Sequence, residues 1–335
     1  MILGGACMLR NYILRNLIKK KLNLSKPLEE VRKDVRQFRI KQKRREATYI
    51  ESTIINETPC LWVVPDGCDT NRFVLYLHGG GYCLAAYDTT VQRAIDLAES
   101  LKMTTLMIDY PVAPEYPFPC AIDKVNDIYE SIADNKQVVL LGESSGCGLV
   151  LNLMVSLREK KKRQPVASVL LTPFLDATYT GRSYTIMKEK DPFYVKPPYI
   201  IADYYTIGQN KKNSWISPLF HDVHDLAPIL IHVAEYDTLA DDGTRLYEKL
   251  KKAHSEVEYR KWIGMWRLSS CLGTGLAGFG LGRTARSFRR WHQPPDGSRR
   301  SRKLTSVPVM PIAIPMSAFL SAGASLTPSP VIATE

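Results

Sequence analysis

"QVVLLGESSGCGLVLNLMVSL", residues 137–157, changes character in its middle, and that change decides the fold. Residues 137–141 form a short apolar, β-branched run of the kind that makes a buried strand. The apolar stretch "GLVLNLMVSL" from Gly148 onward suits a helix packed against a sheet. Between them stands G-x-S-x-G, Gly142 to Gly146. A strand that passes into a helix through so sharp a turn exposes one hydroxyl, that of Ser144, at the end of the sheet and at a helix N-terminus. Glycines on either side fit, because such a turn leaves little room for side chains. The bare G-x-S-x-G arises in many chains; the strand–turn–helix setting makes Ser144 a candidate nucleophile rather than an ordinary turn residue.

A serine hydroxyl attacks poorly until a base takes its proton, and the base needs an orienting carboxylate. The developing oxyanion needs hydrogen-bond donors. Upstream, "FVLYLHGGGYC" (73–83) carries a strand into three successive glycines, Gly79, Gly80 and Gly81. Their unshielded backbone N–H groups are able to face an oxyanion. A phosphate-cradling loop would want Lys and Ser/Thr after the glycines, and Tyr82 and Cys83 follow instead. His78 reads as a brace for this loop rather than as a base. Downstream, "ILIHVAEYDTLADDG" (229–243) ends a strand with Asp237, on the rim that carries Ser144 and after it in chain order. Asp241 and Asp242 read as charges at the N-terminus of the next helix. His232, inside the strand, reads as a buried structural residue.

Working outward, strand-like runs begin near residues 53, 61, 73, 104, 137, 166, 229 and 256. Helical stretches at 88–101, 120–134, 145–162 and 241–253 separate the later ones. That alternation predicts an α/β fold with a mainly parallel sheet and helices on both faces. Two amphipathic helices precede it. One covers residues 9–22; the next starts near Ser25–Pro27 with Leu28, Val31, Val35 and Phe38 as its stripe. Docking on the chain's own core is the expected use of such a stripe, with a weak contact to a membrane surface as the alternative. Residues 176–216 break the rhythm with Tyr, Pro and Lys, and an insertion of that length between strands is a candidate lid.

Composition bounds the rest. With 335 residues and 45% hydrophobic side chains, the chain is long enough for one α/β domain with appendages. The formal charge is +11, but residues 1–266 carry 36 Lys and Arg against 32 Asp and Glu, and residues 267–335 carry 9 against 2. The excess thus lies outside the patterned region, which argues against a nucleic-acid partner. No apolar run reaches the length needed to span a bilayer, and no basic flank marks a signal peptide. Cysteines 7, 60, 68, 83, 120, 147 and 271 form no CxxC pair, which fits a reducing, cytoplasmic setting. From Arg267 on, Arg replaces Lys, both periods vanish, and Pro, Ser and Ala dominate. Residues 267–335 are expected to be an aberrant, disordered basic tail, and the switch in Arg/Lys usage suggests a shifted reading frame or a retained intron.

Taken together, "HGGGY", "DYPVAPEYPFPCAIDKV", "GESSG", "SPLF" and "EYDTLADDG" resemble the hormone-sensitive-lipase-like, fold-3 branch of the α/β hydrolases, in that family's order and over about residues 60–266. The resemblance implies a hydrolase of small carboxylic esters without metal or organic cofactor. Ser144 would be its nucleophile and Asp237 its acid. The oxyanion hole would comprise the His78–Gly81 loop, with the N–H groups of Gly79, Gly80 and Gly81, and the N–H of Ser145. It divides the chain into N-terminal cap helices (1–45), a hydrolase domain (46–266) with a cap insertion (176–216), and the segment 267–335. Cys147 stands where the family usually has glycine. The larger departure follows "EVEYRKWIGMW": the family places its histidine base in the next turn, and Arg267 stands there instead. A guanidinium stays protonated near neutral pH and accepts no proton. The only later histidine, His292, lies in sequence without a scaffold. Two readings follow: an esterase impaired by loss of its base, or a catalytically dead ligand-binding protein of the same fold, as the plant gibberellin receptors are.

Overall fold

The computed structural model describes residues 23–37, 47–194 and 201–266, together with residue 16. The helix expected over 9–22, apart from residue 16, lies outside the described residues, as do Phe38, residues 195–200, Arg267, His292 and the remainder of 267–335.

Each strand-like run between residues 53 and 262 forms a strand. They are β1 (Thr48–Ile55), β2 (Thr58–Pro65), β3 (Asp69–Leu77), β4 (Met103–Ile108), β5 (Gln137–Glu143), β6 (Ala167–Leu171), β7 (Ile229–Tyr236) and β8 (Val257–Trp266). They join in one sheet in the order β1-β2-β4-β3-β5-β6-β7-β8. From β4 to β8 every neighbouring pair is parallel. β2 runs antiparallel to both β1 and β4. The antiparallel edge comes from a two-residue hairpin at Asn56 and Glu57, whose φ angles of 47° and 64° match the twist of the strands. Neither residue is glycine, so the turn gives little warning in the sequence.

Helices cover both faces. The elements are α1 (Leu28–Gln37), α2 (Asp88–Leu101), α3 (Cys120–Ile132), α4 (Ser145–Glu159), the single turn α5 (Ser183–Ile186) and α6 (Ala240–Lys252). α2 packs on a face built from Val63, Val74, Tyr76, Val139 and Leu141. α1, α3, α4 and α6 share the core of the other face with Leu75, Leu77, Leu140, Ile231 and Val233. Burial on both sides is why the central strands read as continuous apolar runs. α1 buries Leu28, Val31 and Val35 in this core, so its stripe docks on the chain itself. No described helix is long and apolar enough to cross a membrane.

α4 reaches its strand only because glycines face it. A Cβ on Gly146 would lie 2.0 Å from the Leu77 carbonyl oxygen and 2.6 Å from that of His78. A Cβ on Gly142 would lie 2.7 Å from both N and Cα of Cys147. Cys147 itself is accommodated, with its thiol turned to the Leu171 carbonyl at 3.4 Å.

The segment 176–216 leaves the sheet after β6 and returns before β7. It is tied to α6 by carboxylates that the sequence suggested were plain helix-terminal charges. Asp241 and Asp242 do lie in the first turn of α6. Asp242, however, is fully buried and accepts the N–H groups of Leu175 at 2.8 Å and Asp176 at 3.0 Å, and the Tyr184 hydroxyl at 3.2 Å. Asp241 accepts the Ser183 N–H at 3.0 Å, and the Ser183 hydroxyl donates to the Thr238 carbonyl at 2.7 Å. The expectation fails for Asp242 because helix-terminal charge and loop clasp share the same sequence signal. Burial pushes the Asp242 carboxyl up to about 8, and the neighbouring Asp176 adds to this. Burial also raises Asp176, but hydrogen bonds from Thr178, Thr180 and Arg245 outweigh it and leave that carboxyl below its ordinary value.

Two outcomes are expected. Gly146→Ala forces a methyl into two carbonyl oxygens and lowers stability by about 3 kcal/mol or more, whereas Gly67→Ala, with open space around it but φ of +66°, costs about 1 kcal/mol. Urea unfolding of both variants checks this. Because Asp242 is protonated in the folded chain at pH values where the unfolded chain has released that proton, its contribution to stability falls as pH rises from about 4 to about 8. The slope contributed is at most about 1.4 kcal/mol per pH unit. In denaturation series at pH 5, 6, 7 and 8, Asp242→Asn removes that slope.

Candidate active site

Ser144 joins β5 to α4 with φ 50° and ψ −114°. A non-glycine residue in such a conformation costs about 1–3 kcal/mol and persists only where its surroundings fix it. Here they do. Its N–H donates to the Leu171 carbonyl at 3.0 Å, and its carbonyl accepts the N–H groups of Cys147 and Phe174, each at 3.1 Å. β6 and the residues after it therefore hold both sides of the turn. Ser144 stays half-buried, while Ser145 and Gly146 are buried. Ser145 is the first residue of α4, where backbone N–H groups have no partner within the helix and the helix dipole favours negative charge.

The glycine loop lies directly on this turn. A Cβ on Gly79 would sit 3.2 Å from the Ser144 Cβ and 3.1 Å from the Glu143 carbonyl oxygen. Gly80 has φ 136°, and a Cβ there would be 2.7 Å from the Leu84 carbonyl oxygen. The Gly80 carbonyl accepts the N–H groups of Cys83 and Leu84, each at 3.1 Å, which closes the turn. Tyr82 continues it at φ 62°. Its ring stacks on Tyr205 of the insertion at 4.1 Å, and its hydroxyl fills the space beside Gly148, where a Cβ would come within 2.1 Å. Three glycines of "GESSGCG" thus serve different contacts: Gly142 and Gly146 let α4 approach, and Gly148 seats Tyr82.

His78 lies under the loop. Its imidazole is fully buried, stacks on Tyr110 at 4.3 Å, and places Nδ1 2.7 Å from the Gly79 carbonyl oxygen. Nε2 is 3.6 Å from the Asp109 carboxylate. The Tyr110 hydroxyl donates to the His78 carbonyl at 2.7 Å. His78 thus supports the loop from below. Burial raises the Asp109 carboxyl, but the contact with His78 and the N–H of Ala86 at 2.8 Å outweigh it and hold the group below its ordinary value. Beside Ser144, the buried Glu143 accepts the Tyr76 hydroxyl at 2.9 Å and lies 3.7 Å from the Arg93 guanidinium of α2.

Asp237 is the first residue beyond β7, on the same end of the sheet as Ser144, with β6 between their strands. It is fully buried. Oδ1 accepts the Leu239 N–H at 2.8 Å, and its carbonyl accepts that of Ala240 at 3.2 Å, so the following turn orients the carboxylate. Asp191 of the insertion grips the next residue, accepting the Thr238 N–H at 2.9 Å and its hydroxyl at 2.6 Å. Nothing periodic in "KEKDPFY" announces that contact.

The described histidines have structural places. Burial pushes His221 down to about 4, and its Nε2 is 2.9 Å from the Asn152 side-chain oxygen. His224 pairs with Asp222 at 2.7 Å. His232 is buried in β7, edge-on to Trp262 at 5.5 Å, and burial pushes it to about 3, so it is neutral. His254 sits past the end of α6 with φ 53°. Arg267 and His292 lie outside the described residues. Among the described residues no three His, Cys, Asp or Glu side chains are grouped to hold a metal ion.

Comparison with known proteins agrees with this architecture. The family model for the alpha/beta hydrolase fold matches residues 74–268. An esterase of Acinetobacter venetianus is 31% identical over 201 residues, 58% of this chain and 66% of that protein. An acetyl-hydrolase of Streptomyces hygroscopicus is 29% identical over 212 residues, 62% of this chain and 71% of that protein. The chain therefore spans about two thirds of the length of these curated relatives. Among solved structures, an esterase from the bacterial hormone-sensitive lipase family superposes with a TM-score of 0.79 at 26% identity, covering 87% of this chain and 99% of that one. A hormone-sensitive lipase from a metagenome library gives 0.77 at 26% identity, covering 84% and 98%. With the family match running through the glycine loop, the Ser144 turn and the acid-bearing β7 end, this chain belongs to the fold-3 branch of the α/β hydrolases, the hormone-sensitive-lipase-like carboxylesterases.

Proposed function

We propose that this chain hydrolyses small carboxylic esters through an acyl-enzyme on Ser144, and that its turnover is low because Arg267 stands in sequence where the base belongs. The observation that carries the reading is the Ser144 turn. A strained serine at φ 50° lies against Gly79 and just before the N-terminus of α4, which supports a hydroxyl and backbone donors acting together. In this reading Ser144 Oγ attacks the ester carbonyl carbon. The negative charge that develops on the carbonyl oxygen is met by N–H groups of Gly79, Gly80, Gly81 and Ser145. The alcohol leaves with a proton, and water then hydrolyses the acyl-serine to regenerate the hydroxyl. Asp237 would orient and stabilise a cationic base. Without such a base the serine proton must pass to solvent, and what remains is chiefly oxyanion-hole catalysis. The similarity to an esterase and an acetyl-hydrolase supports a small ester as substrate.

A ligand-binding protein of the same fold is the competing reading, and Arg267 is the residue that favours it. The measurements that separate the two are direct. Residual hydrolysis of p-nitrophenyl acetate disappears in Ser144→Ala if Ser144 is the nucleophile; hydrolysis that persists undiminished in that variant refutes the assignment. Arg267→His raises hydrolysis if the turn after Trp266 presents the new imidazole within about 3 Å of the serine hydroxyl. A folded Arg267→His protein that still binds p-nitrophenyl esters with no gain in turnover places the binding reading first.

A further inference from the structure

The stripe of α1 has a charge in it. Leu28, Val31, Arg32 and Val35 are all buried, in the i, i+3, i+4, i+7 spacing of a core-facing helix. Arg32 donates from Nε to the Cys83 carbonyl at 3.1 Å and from Nη2 to the Ala113 carbonyl at 2.6 Å. Its two terminal nitrogens meet the Glu115 carboxylate at 2.6 and 2.8 Å. Ala113 in turn donates its N–H to the Tyr82 carbonyl at 2.8 Å. The bonds form a closed circuit: guanidinium to Cys83, along the chain to Tyr82, across to Ala113, and back to the guanidinium. The Cys83 N–H in that circuit donates to the Gly80 carbonyl.

We propose that Arg32 is a positioning residue for the oxyanion donors, fixing the Gly79–Gly81 loop from outside through Cys83 and Ala113. The inference rests on the reading of that loop as the oxyanion hole. Tyr82 and Cys83 also pack in the apolar core, while on the Leu84 side an open cleft of about 330 Å³ lies beside the guanidinium, bordered by Val35, Tyr87 and Tyr116, so the polar contacts bridge where apolar packing stops. A guanidinium is suited to the task because its planar fork donates these four hydrogen bonds from three nitrogens, two of them to both oxygens of one carboxylate, whereas an ammonium has three donors on a single atom. Glu115 compensates the buried charge; the hydrogen bond from Arg32 holds its carboxyl down to about 2.

The test uses the full chain and two readouts, amide hydrogen exchange and steady-state hydrolysis of p-nitrophenyl acetate. Arg32→Lys keeps the charge and most of the bulk. It is expected to speed exchange of residues 79–84 by about tenfold, the factor that loss of a charge-assisted hydrogen bond commands, with exchange in β5 unchanged. It lowers kcat by about tenfold and leaves KM within about twofold, because the donors act on the transition state rather than on the bound ester. Lys33→Ala, at an exposed position on the same helix, changes neither readout. Should Arg32→Lys fail to fold, Glu115→Gln, at a half-exposed position, keeps the carbonyl contacts and is expected to speed exchange in 79–84 by about threefold. Parental exchange rates in 79–84, equal acceleration through α1 and the whole sheet, or a loosened loop with parental kcat would each overturn the proposal. If the parent chain shows no turnover, the ester-hydrolase reading fails by itself, and the exchange measurement still decides whether Arg32 holds the loop.

Discussion

The approach of α4 to the end of β3 is the contact on which the rest depends. Gly146 passes the Leu77 and His78 carbonyls with no space for a methyl group. Because α4 is pressed that far in, the chain must turn within one residue of leaving β5, and Ser144 takes its strained φ. The same closeness brings the residues after β3 over the turn, so that Gly79 lies on the Ser144 Cβ. Helix docking, serine exposure and loop placement are therefore one geometric event.

Polar contacts around this event each tie down at least one buried group. Glu143 has Tyr76 and Arg93, Asp109 has His78 and the Ala86 N–H, Asp176 has Arg245, and Glu115 has Arg32. Asp242 differs. Burial pushes it up, and the ionised Asp176 beside it adds to the shift, so the two neighbouring carboxyl groups do not both carry a negative charge. Removing one member of such a pair leaves the other without compensation in a low-dielectric setting, which costs more than the pair contributes. The rim of the sheet is thus held in register by hydrogen-bonded loops, while the apolar layers beneath set the fold. A perturbation of a loop contact reaches the site before it reaches the core.

How much of this was legible in the sequence follows from the same division. Strands and helices were, because burial on both faces of the sheet imposes long apolar runs and because Gly and Pro punctuate them. The tight turn around Ser144 was legible because close backbone approach leaves glycine as its trace, as at Gly142 and Gly146. The β1–β2 hairpin was not, since Asn56 and Glu57 adopt positive φ without glycine. Asp191 and Asp242 were not, because a buried carboxylate that accepts backbone N–H groups looks like any acidic residue in a loop or a helix start. Arg32 left a faint mark, a charge at a core position of an amphipathic helix, and only the carbonyls of Cys83 and Ala113, some fifty and eighty residues away, give that mark a meaning.

These contacts also separate the preparation of the nucleophile from the transfer of its proton. Ser144, the glycine loop and Asp237 are each fixed by partners within residues 23–266: Leu171 and Phe174 for the turn, Tyr82, His78 and Arg32 for the loop, Leu239 and Ala240 for the acid. In the proposed mechanism, who takes the serine proton is therefore a separate matter from how the strained turn is held. The strain at Ser144 is sustained by helix docking, which the core enforces whether or not a base is present. On the proposed reading, chemistry in this chain can thus fall well before the fold does, because the core that enforces the turn does not depend on the proton transfer.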